Sequence, residues 1–319
     1  MIDVDTFVTT LYVTVDEYDK AGQLPPAPAL RGPAASLSRS EVITLALFGQ
    51  WAQFASERAF YRYAVRHLRP AFPRLPHRSQ FNRLLRQVAP ALAAVGLRLA
   101  EALEAALGGT GNRWAFEVLD TTGVPTRNAQ RRGRGWLAGQ ADLGYCARVG
   151  YYTGFHLLTA VAPVGVLTGL GFGPASSKDQ PLADTFLTAR AHPTPALASV
   201  GHFAAGYYLT DTGFEGRVRH ETWADLAGAF VLSLPNRARS LATQGWTAPA
   251  RRLAAGLREI IETAHFRLLT TFRLEHERPH TLAGFQARVF AKMAVYNFCL
   301  WLNHQMGRPL LALADLLDW

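Results

Sequence analysis

The chain has 319 residues, 49% hydrophobic and 18% charged; this gives ample apolar material for a packed core, a length of about two domains, and excludes global disorder. Its two cysteines, Cys146 and Cys299, exclude a disulfide framework and a cysteine-based zinc site, and point to a reducing compartment. The net charge is +9, carried by thirty arginines and only three lysines, Lys20, Lys178 and Lys292. That balance suits a polyanionic partner, because arginine grips phosphate in a planar, bidentate way; a codon bias would give the same count, since Ala, Gly and Pro are plentiful too.

Residues 1–20 read as a short amphipathic helix with Phe7, Leu11 and Val15 on one side. The segment carries acids where a signal peptide carries bases, so no secretion signal is expected there. Residues 21–36 form a Pro/Ala/Gly linker. Ser38-Arg39-Ser40-Glu41 is a capping box before an apolar run, predicting a helix over 39–55. A second helix starts after Ser56 and reaches Leu68, before prolines at 70, 73 and 76. Ser79 is expected to cap a third, SQFNRLLRQV. Pro90 suits the first turn of a fourth, where Leu92, Val95, Leu99 and Leu103 form a core-facing stripe that Gly108-Gly109 stops. Residues 1–110 are therefore expected to be an all-helical domain.

The texture changes at residue 114. WAFEVLD predicts a strand ending at Asp120, and GYYTGFHLLTAVA and VLTGLGFGP two more. Residues 157–177 carry no charge and are long enough for a membrane helix, but Pro163, Gly165, Gly169, Gly171 and Gly173 break them. Two buried strands joined by a turn at Ala162–Gly165 fit better, so a soluble, cytoplasmic protein without a membrane partner is expected. Residues 179–199 read as helix, then loop; GYYLTD is a fourth strand and GAFVLSL a fifth; 248–268 and most of 281–305 are helical. The order β-β-β-α-β-α-β-α predicts a mixed α/β sheet of five strands with flanking helices over 111–319.

Arginine is not evenly spread. Positions 58, 62, 66, 69, 74, 78, 83 and 86 are arginine, and no Asp or Glu occurs between Arg58 and Arg86. Codon bias adds arginine; it does not remove acids from one stretch. Arg58, Arg62, Arg66 and Arg69 fall on one helix face, with Phe60, Tyr61 and Tyr63 among them. The readings are a solvated basic face or phosphate-backbone contact by a helix-turn-helix-like unit over 39–88, and the second is preferred. Within it Arg78, Gln80, Asn82, Arg83 and Arg86 suit base edges or phosphates. A second basic run, NAQRRGRG, puts Arg131, Arg132 and Arg134 on a glycine-containing loop after Asp120; it reads either as an ordinary surface loop or as a DNA contact.

Asp120 and Asp211 each follow an apolar strand, which alone is common for strand ends. Glu262, in LREIIETAHFRL, sits between Ile260, Ile261 and Ala264. Together, two acids from adjacent strand ends and one from a packed helix can converge as hard oxygen ligands for Mg²⁺ or Mn²⁺. Two such ions about 3.5–4 Å apart activate an attacking oxygen and stabilise a leaving one at a phosphodiester.

The stretches LSRSEVITLALFGQW, RAFYRYAVRHLRPAFPRLPHRSQFNRLLRQ, VLDTTGVP, GYYTGFHLL, YYLTDTGFEG, REIIETAHFRL and AVYNFCLWLN resemble, nearly end to end, bacterial insertion-sequence transposases of the DDE superfamily, most closely the insertion-sequence-982 family. The resemblance implies an RNase H-like catalytic fold, two divalent metals, and cleavage and joining of DNA at terminal inverted repeats. It matches Asp120, Asp211 and Glu262 to the three acids, and Arg258 to the arginine four residues before the third. Asp179, in SSKDQP, resembles a supporting acid. It further implies double-stranded element ends and target DNA as partners, a homodimer on DNA and a nucleoid-associated location. Ala255 and Leu269 stand where the family signature has tyrosine and lysine, and His156-Leu157-Leu158 where it often has Lys-Leu-His. Those departures keep open a catalytically impaired DNA-binding derivative, and a nuclease of the same fold that cuts without joining.

Overall fold

The computed structural model describes residues 1–26, 35–108, 113–127, 137, 139–201, 206–234 and 245–319. The chain divides into two compact units, one of residues 1–99 and 268–319, the other of residues 100–267. Residues 268–319 thus group with the N-terminal helices in the first unit.

The first unit is helical. α1 (Val4–Lys20) starts at Asp3, whose carboxylate accepts the Thr6 N–H, and buries Phe7, Leu11 and Val15. α2 (Arg39–Phe48) opens on the full Ser38/Glu41 capping box, worth about 1 kcal/mol. It stops at Gly49, short of residue 55, where a Cβ would collide with the Phe60 ring. α3 (Glu57–Tyr63) continues to Leu68 as a wider π-turn. α4 (Arg78–Gln87) is capped by His77 rather than Ser79: the His77 ring accepts the Ser79 N–H. α5 (Ala89–Leu107) ends before Gly108, as the stripe predicts.

Phe7 is the centre of an aromatic cluster with Phe48, Trp51 and Phe298, ring centroids 5.2–6.0 Å away. The last partner comes from α9 (Leu282–Gln305), buried along most of its length. Gly96 lets α5 approach α9: a Cβ there would sit 3.2 Å from the Ala294 Cα, and the buried Asn297 amide donates to the Gly96 carbonyl at 2.8 Å. Short parallel strands β1 (Ile2–Asp3) and β8 (Leu317–Asp318) pair the two ends of the chain.

The second unit is built on a mixed sheet. β2 (Glu117–Arg127) pairs antiparallel with β4 (Gly150–Val161) and parallel with β6 (Gly206–Thr210), which pairs parallel with β7 (Ala229–Ser233). The far edge of β4 is shared by β3 (Asp142–Cys146) and β5 (Leu167–Pro174), both antiparallel. Order β5-β4-β2-β6-β7 with β3 added is the RNase H-like mixed sheet. The turn at Ala162–Gly165 closes with a 2.9 Å bond from Gly165 N to Ala162 O, and Gly165 takes φ 93°, a value that favours glycine.

α6 (Asp179–Ala191) and α7 (Arg217–Ala227) bury Phe186, Leu187 and Trp223 on one sheet face with Leu119, Leu158 and Tyr208. α8 (Ala248–Thr270) hydrogen-bonds to the opposite face. Under the sheet, Glu117 and Arg190 form a wholly buried ion pair, with Arg190 also donating to the Tyr208 hydroxyl and the Thr168 carbonyl. An isolated charge there would cost several kcal/mol; mutual pairing and those acceptors offset part of that cost. No helix among the described residues is long and apolar enough to cross a membrane.

Candidate active site

Strand alternation decides which acids meet. Leu119 faces the α6–α7 core, so Asp120, its neighbour, faces the other way. β2 does not end at Asp120, as the sequence suggests, but runs to Arg127 because β4 stays paired to it. β6 does stop, at Thr210. The parallel register sets Glu117 opposite Tyr208 and Val118 opposite Leu209; continued by two residues, it brings Asp120 level with Asp211.

Asp120 Oδ1 accepts the Thr121 N–H at 2.7 Å, and Oδ2 lies 3.3 Å from Arg258 Nη2 of α8. Asp211 opens the 3₁₀ turn Thr212–Phe214 and accepts the Gly213 N–H at 2.8 Å. Asp179, the first residue of α6, accepts the Thr121 hydroxyl at 2.7 Å and faces His156 Nε2 at 3.7 Å; the His156 Nδ1–H donates to the Ser177 carbonyl. A Cβ on Gly213 would collide with Asp179 Oδ2 and sit 3.0 Å from Asp211 Oδ1, so two carboxylates close over a position only glycine leaves open.

Charge is left over. Burial, and then the charge of Asp211, push the Asp120 carboxyl up to about 6, against the opposing pull of the Thr121 N–H and Arg258. Among the described residues, the buried Arg258 Nε has no hydrogen-bond partner. Further along α8, His265 Nε2 meets the Thr159 hydroxyl at 2.7 Å; Thr159 is the cross-strand partner of Asp120. Burial and the nearby Arg148 charge push His265 down to about 4, so it is neutral at pH 7.

Glu262 is exposed on α8, one turn after Arg258, over a shallow depression of about 360 Å³ with Glu259, Thr263, Phe266 and Arg267. Among the described residues no three His, Cys, Asp or Glu side chains form a group that could hold a metal ion. The donor set at Asp120 and Asp211 nevertheless fits a hard divalent cation, because two carboxylate oxygens with unrelieved mutual repulsion are what such an ion neutralises.

Of the expected DNA-contact residues, Arg58, Arg62, Arg66, Arg78, Gln80 and Arg83 are exposed or half-buried, and Arg86 half-buried. Asn82 is turned inward and donates to both Glu57 oxygens, at 2.8 and 2.7 Å. Phe60 and Tyr61, among the arginines in sequence, are core residues. Arg131, Arg132 and Arg134 lie outside the described residues. Sequence reasoning did not reach Thr121, Gly213 or His265; the glycine after Asp211-Thr212 was the one available signal.

No curated protein and no solved structure matches the chain. A family model for the transposase DDE domain matches residues 117–298, more than half of the chain and all of the strands that carry these acids. The chain belongs to the DDE transposases.

Proposed function

We propose that this protein cleaves DNA at the terminal inverted repeats of an insertion sequence and joins the freed 3′ ends to target DNA. The observation that supports it is the Asp120–Asp211–Asp179 group, with Asp120 raised to about 6 and Arg258 beside it. Asp120 and Asp211 would hold divalent Mg²⁺ or Mn²⁺, with Glu262 completing a second position. Such ions supply Lewis acidity, activating an attacking oxygen and stabilising the leaving one. Asp179 holds the Thr121 hydroxyl and adds negative potential beside Asp211. Arg258, whose Nη2 lies 3.3 Å from Asp120 Oδ2, orients Asp120, and its charge would neutralise a phosphate.

In the first step water adds to phosphorus and the P–O3′ bond breaks, leaving a 3′-OH on the element. In the second that hydroxyl attacks a target phosphodiester; one P–O bond forms and one breaks, so no external energy source is needed. The stretch 58–86 and the loop with Arg131, Arg132 and Arg134 would grip the DNA, with residues 1–110 as the binding part and 111–319 as the catalytic part. Two ends must be held together, so a homodimer on DNA is part of the proposal, as are membership of the insertion-sequence-982 group and nucleoid association.

The test is nicking of a duplex bearing the element's end, with Mg²⁺ and with EDTA. Metal-dependent nicking lost in Asp120→Asn, with DNA binding retained, supports the reading; full cleavage by Asp120→Asn refutes it. Absence of nicking in the wild type favours an impaired DNA-binding derivative. Nicking without strand transfer favours a nuclease.

A further inference from the structure

The helical unit contains a cavity of about 750 Å³, formed by the end of α2, by α3 and α4, and by residues 273–292. Among the described residues, its wall carries seven arginines and one lysine, but two acids, Glu57 and Glu277. Both acids are already engaged. Glu57 takes Arg288 Nη2 at 2.5 Å, the Asn82 amide, and Arg78 at 3.7 Å. Glu277 takes Arg288 Nε at 3.2 Å and the buried Lys292 ammonium at 2.8 Å. Among the described residues, no carboxylate lies within ion-pairing distance of Arg58, Arg83, Arg86 or Arg273. Several unneutralised guanidinium groups in one concavity focus a positive potential and draw in an anion.

A second observation points the same way. Arg273 adopts φ 53° and ψ 42°, the left-handed region that a residue with a side chain rarely occupies. Its guanidinium is barely anchored, with Nη1 3.5 Å from the Ala52 carbonyl. Residues held in such conformations cluster at ligand clamps. The aromatic rings along the wall, Phe54, Phe60 and Phe81, are buried and offer no stacking surface to a base.

We propose that this cavity is a clamp for the phosphates of one DNA strand, with Arg83 and Arg86 of α4 on one side and Arg273 on the other. Half of the clamp is the acid-free stretch already visible in sequence; the other half comes from a segment almost two hundred residues later. A volume of this size takes a phosphodiester or two rather than a duplex, so the duplex docks by a backbone edge. The proposal rests on the DNA reading above, and free phosphate compounds share the same chemistry.

The experiment uses the full chain and a 30-base-pair duplex of arbitrary sequence without divalent ions, which isolates phosphate contacts. Binding is measured against NaCl concentration. The double variant Arg86→Gln/Arg273→Gln is expected to lower the slope of log K against log[salt] by about 2, one for each lost contact, and to weaken binding at low salt at least tenfold. Should that variant fail to fold by circular dichroism, Arg83→Gln is expected to lower the slope by about 1. An unchanged slope in a folded variant overturns the clamp. So does a cavity that serves free phosphate: pyrophosphate raising the wild-type melting temperature with no duplex effect on it. Mg²⁺-dependent nicking, run in parallel, reports on the catalytic reading separately: a chain that nicks with unchanged slopes loses only the clamp, and one that shows the slope loss without nicking loses only the catalysis.

Discussion

Replacing Asp120 by Asn should stabilise the metal-free protein while abolishing cleavage. The carboxyl is pushed up to about 6 from its ordinary 3.8, so the folded chain holds the charged form at a cost. The folded protein therefore binds the proton more tightly than the unfolded chain does, so the penalty is complete above pH 6 and fades as pH falls towards 3.8. A tenfold change in proton affinity corresponds to about 1.4 kcal/mol, which puts the penalty at about 3 kcal/mol at pH 7.5, between about 1 and 2 at pH 5, and under about 1 at pH 4. The amide keeps an oxygen for the Thr121 N–H and removes the repulsion with Asp211. In EDTA at pH 7.5 the variant should melt roughly 5 °C above the wild type. The difference should shrink through pH 5, be small near pH 4 and vanish below about pH 3. Comparing the two chains at each pH cancels the titration of groups not coupled to Asp120, His265 included. Mg²⁺ should raise the wild-type melting temperature and leave the variant's unchanged. A variant less stable than the wild type at pH 7.5, or a gap independent of pH, would refute the account of Asp120 as an uncompensated buried carboxylate.

Gly213→Ala should leave the fold intact by circular dichroism yet reduce nicking by a factor of roughly a hundred, because its Cβ displaces the Asp179 and Asp211 oxygens that must stay in place. His265 is held neutral, pushed down to about 4 from 6.5, so the stability it supports is complete above pH 6.5 and is lost as pH falls through 4. His265→Gln, which can still bond the Thr159 hydroxyl, should flatten that acid limb of the melting curve; an unaltered limb would count against it. Arg190→Met leaves Glu117 charged in a dry interior and should cost about 3–5 kcal/mol, read as loss of the cooperative melt, whereas Arg190→Met with Glu117→Leu should recover most of it.

How much of this can be read without coordinates depends on the range of each interaction. The capping box at Ser38 and Glu41, the stripe on α5 and the turn at Gly165 are local, and the chain forms them where the sequence places them. Asp211 is legible because β6 really does end before it. The extent of β2 is not: Gly123 and Pro125 resemble a strand's end, and only pairing with a distant strand, Gly123 with His156 and Pro125 with Gly154 of β4, carries the strand past them. The same limit hides the partner of Glu117, an acid in an otherwise apolar run whose arginine stands 73 residues away. Asn82 and Tyr61 mislead for a related reason. Their chemistry suits DNA, but Glu57 and the Pro76 carbonyl already occupy them.

A mismatch in strand length places the acids. β2 has β4 along one edge for its whole course, but β6 along the other only at Glu117 and Val118. Past that point no strand among the described residues pairs with that edge, on a strand whose neighbours run antiparallel on one side and parallel on the other. Open crevices of this kind, beyond the carboxyl ends of parallel strands, are where α/β sheets admit ligands. Alternation then sends adjacent residues of β2 to opposite faces: Asp120 towards Arg258 on α8, Thr121 towards Asp179 on α6. Carboxylates from three separate segments are gathered there, with one arginine against them. Had β6 run on beside β2, its backbone would fill the space the acids face, and the same sequence of residue types would make an ordinary sheet. The excess negative charge is thus a product of where β6 stops, while the fully paired Glu117 and Arg190, the former three residues before Asp120 on the same strand, show that this chain neutralises a carboxylate where no cation or substrate has to enter.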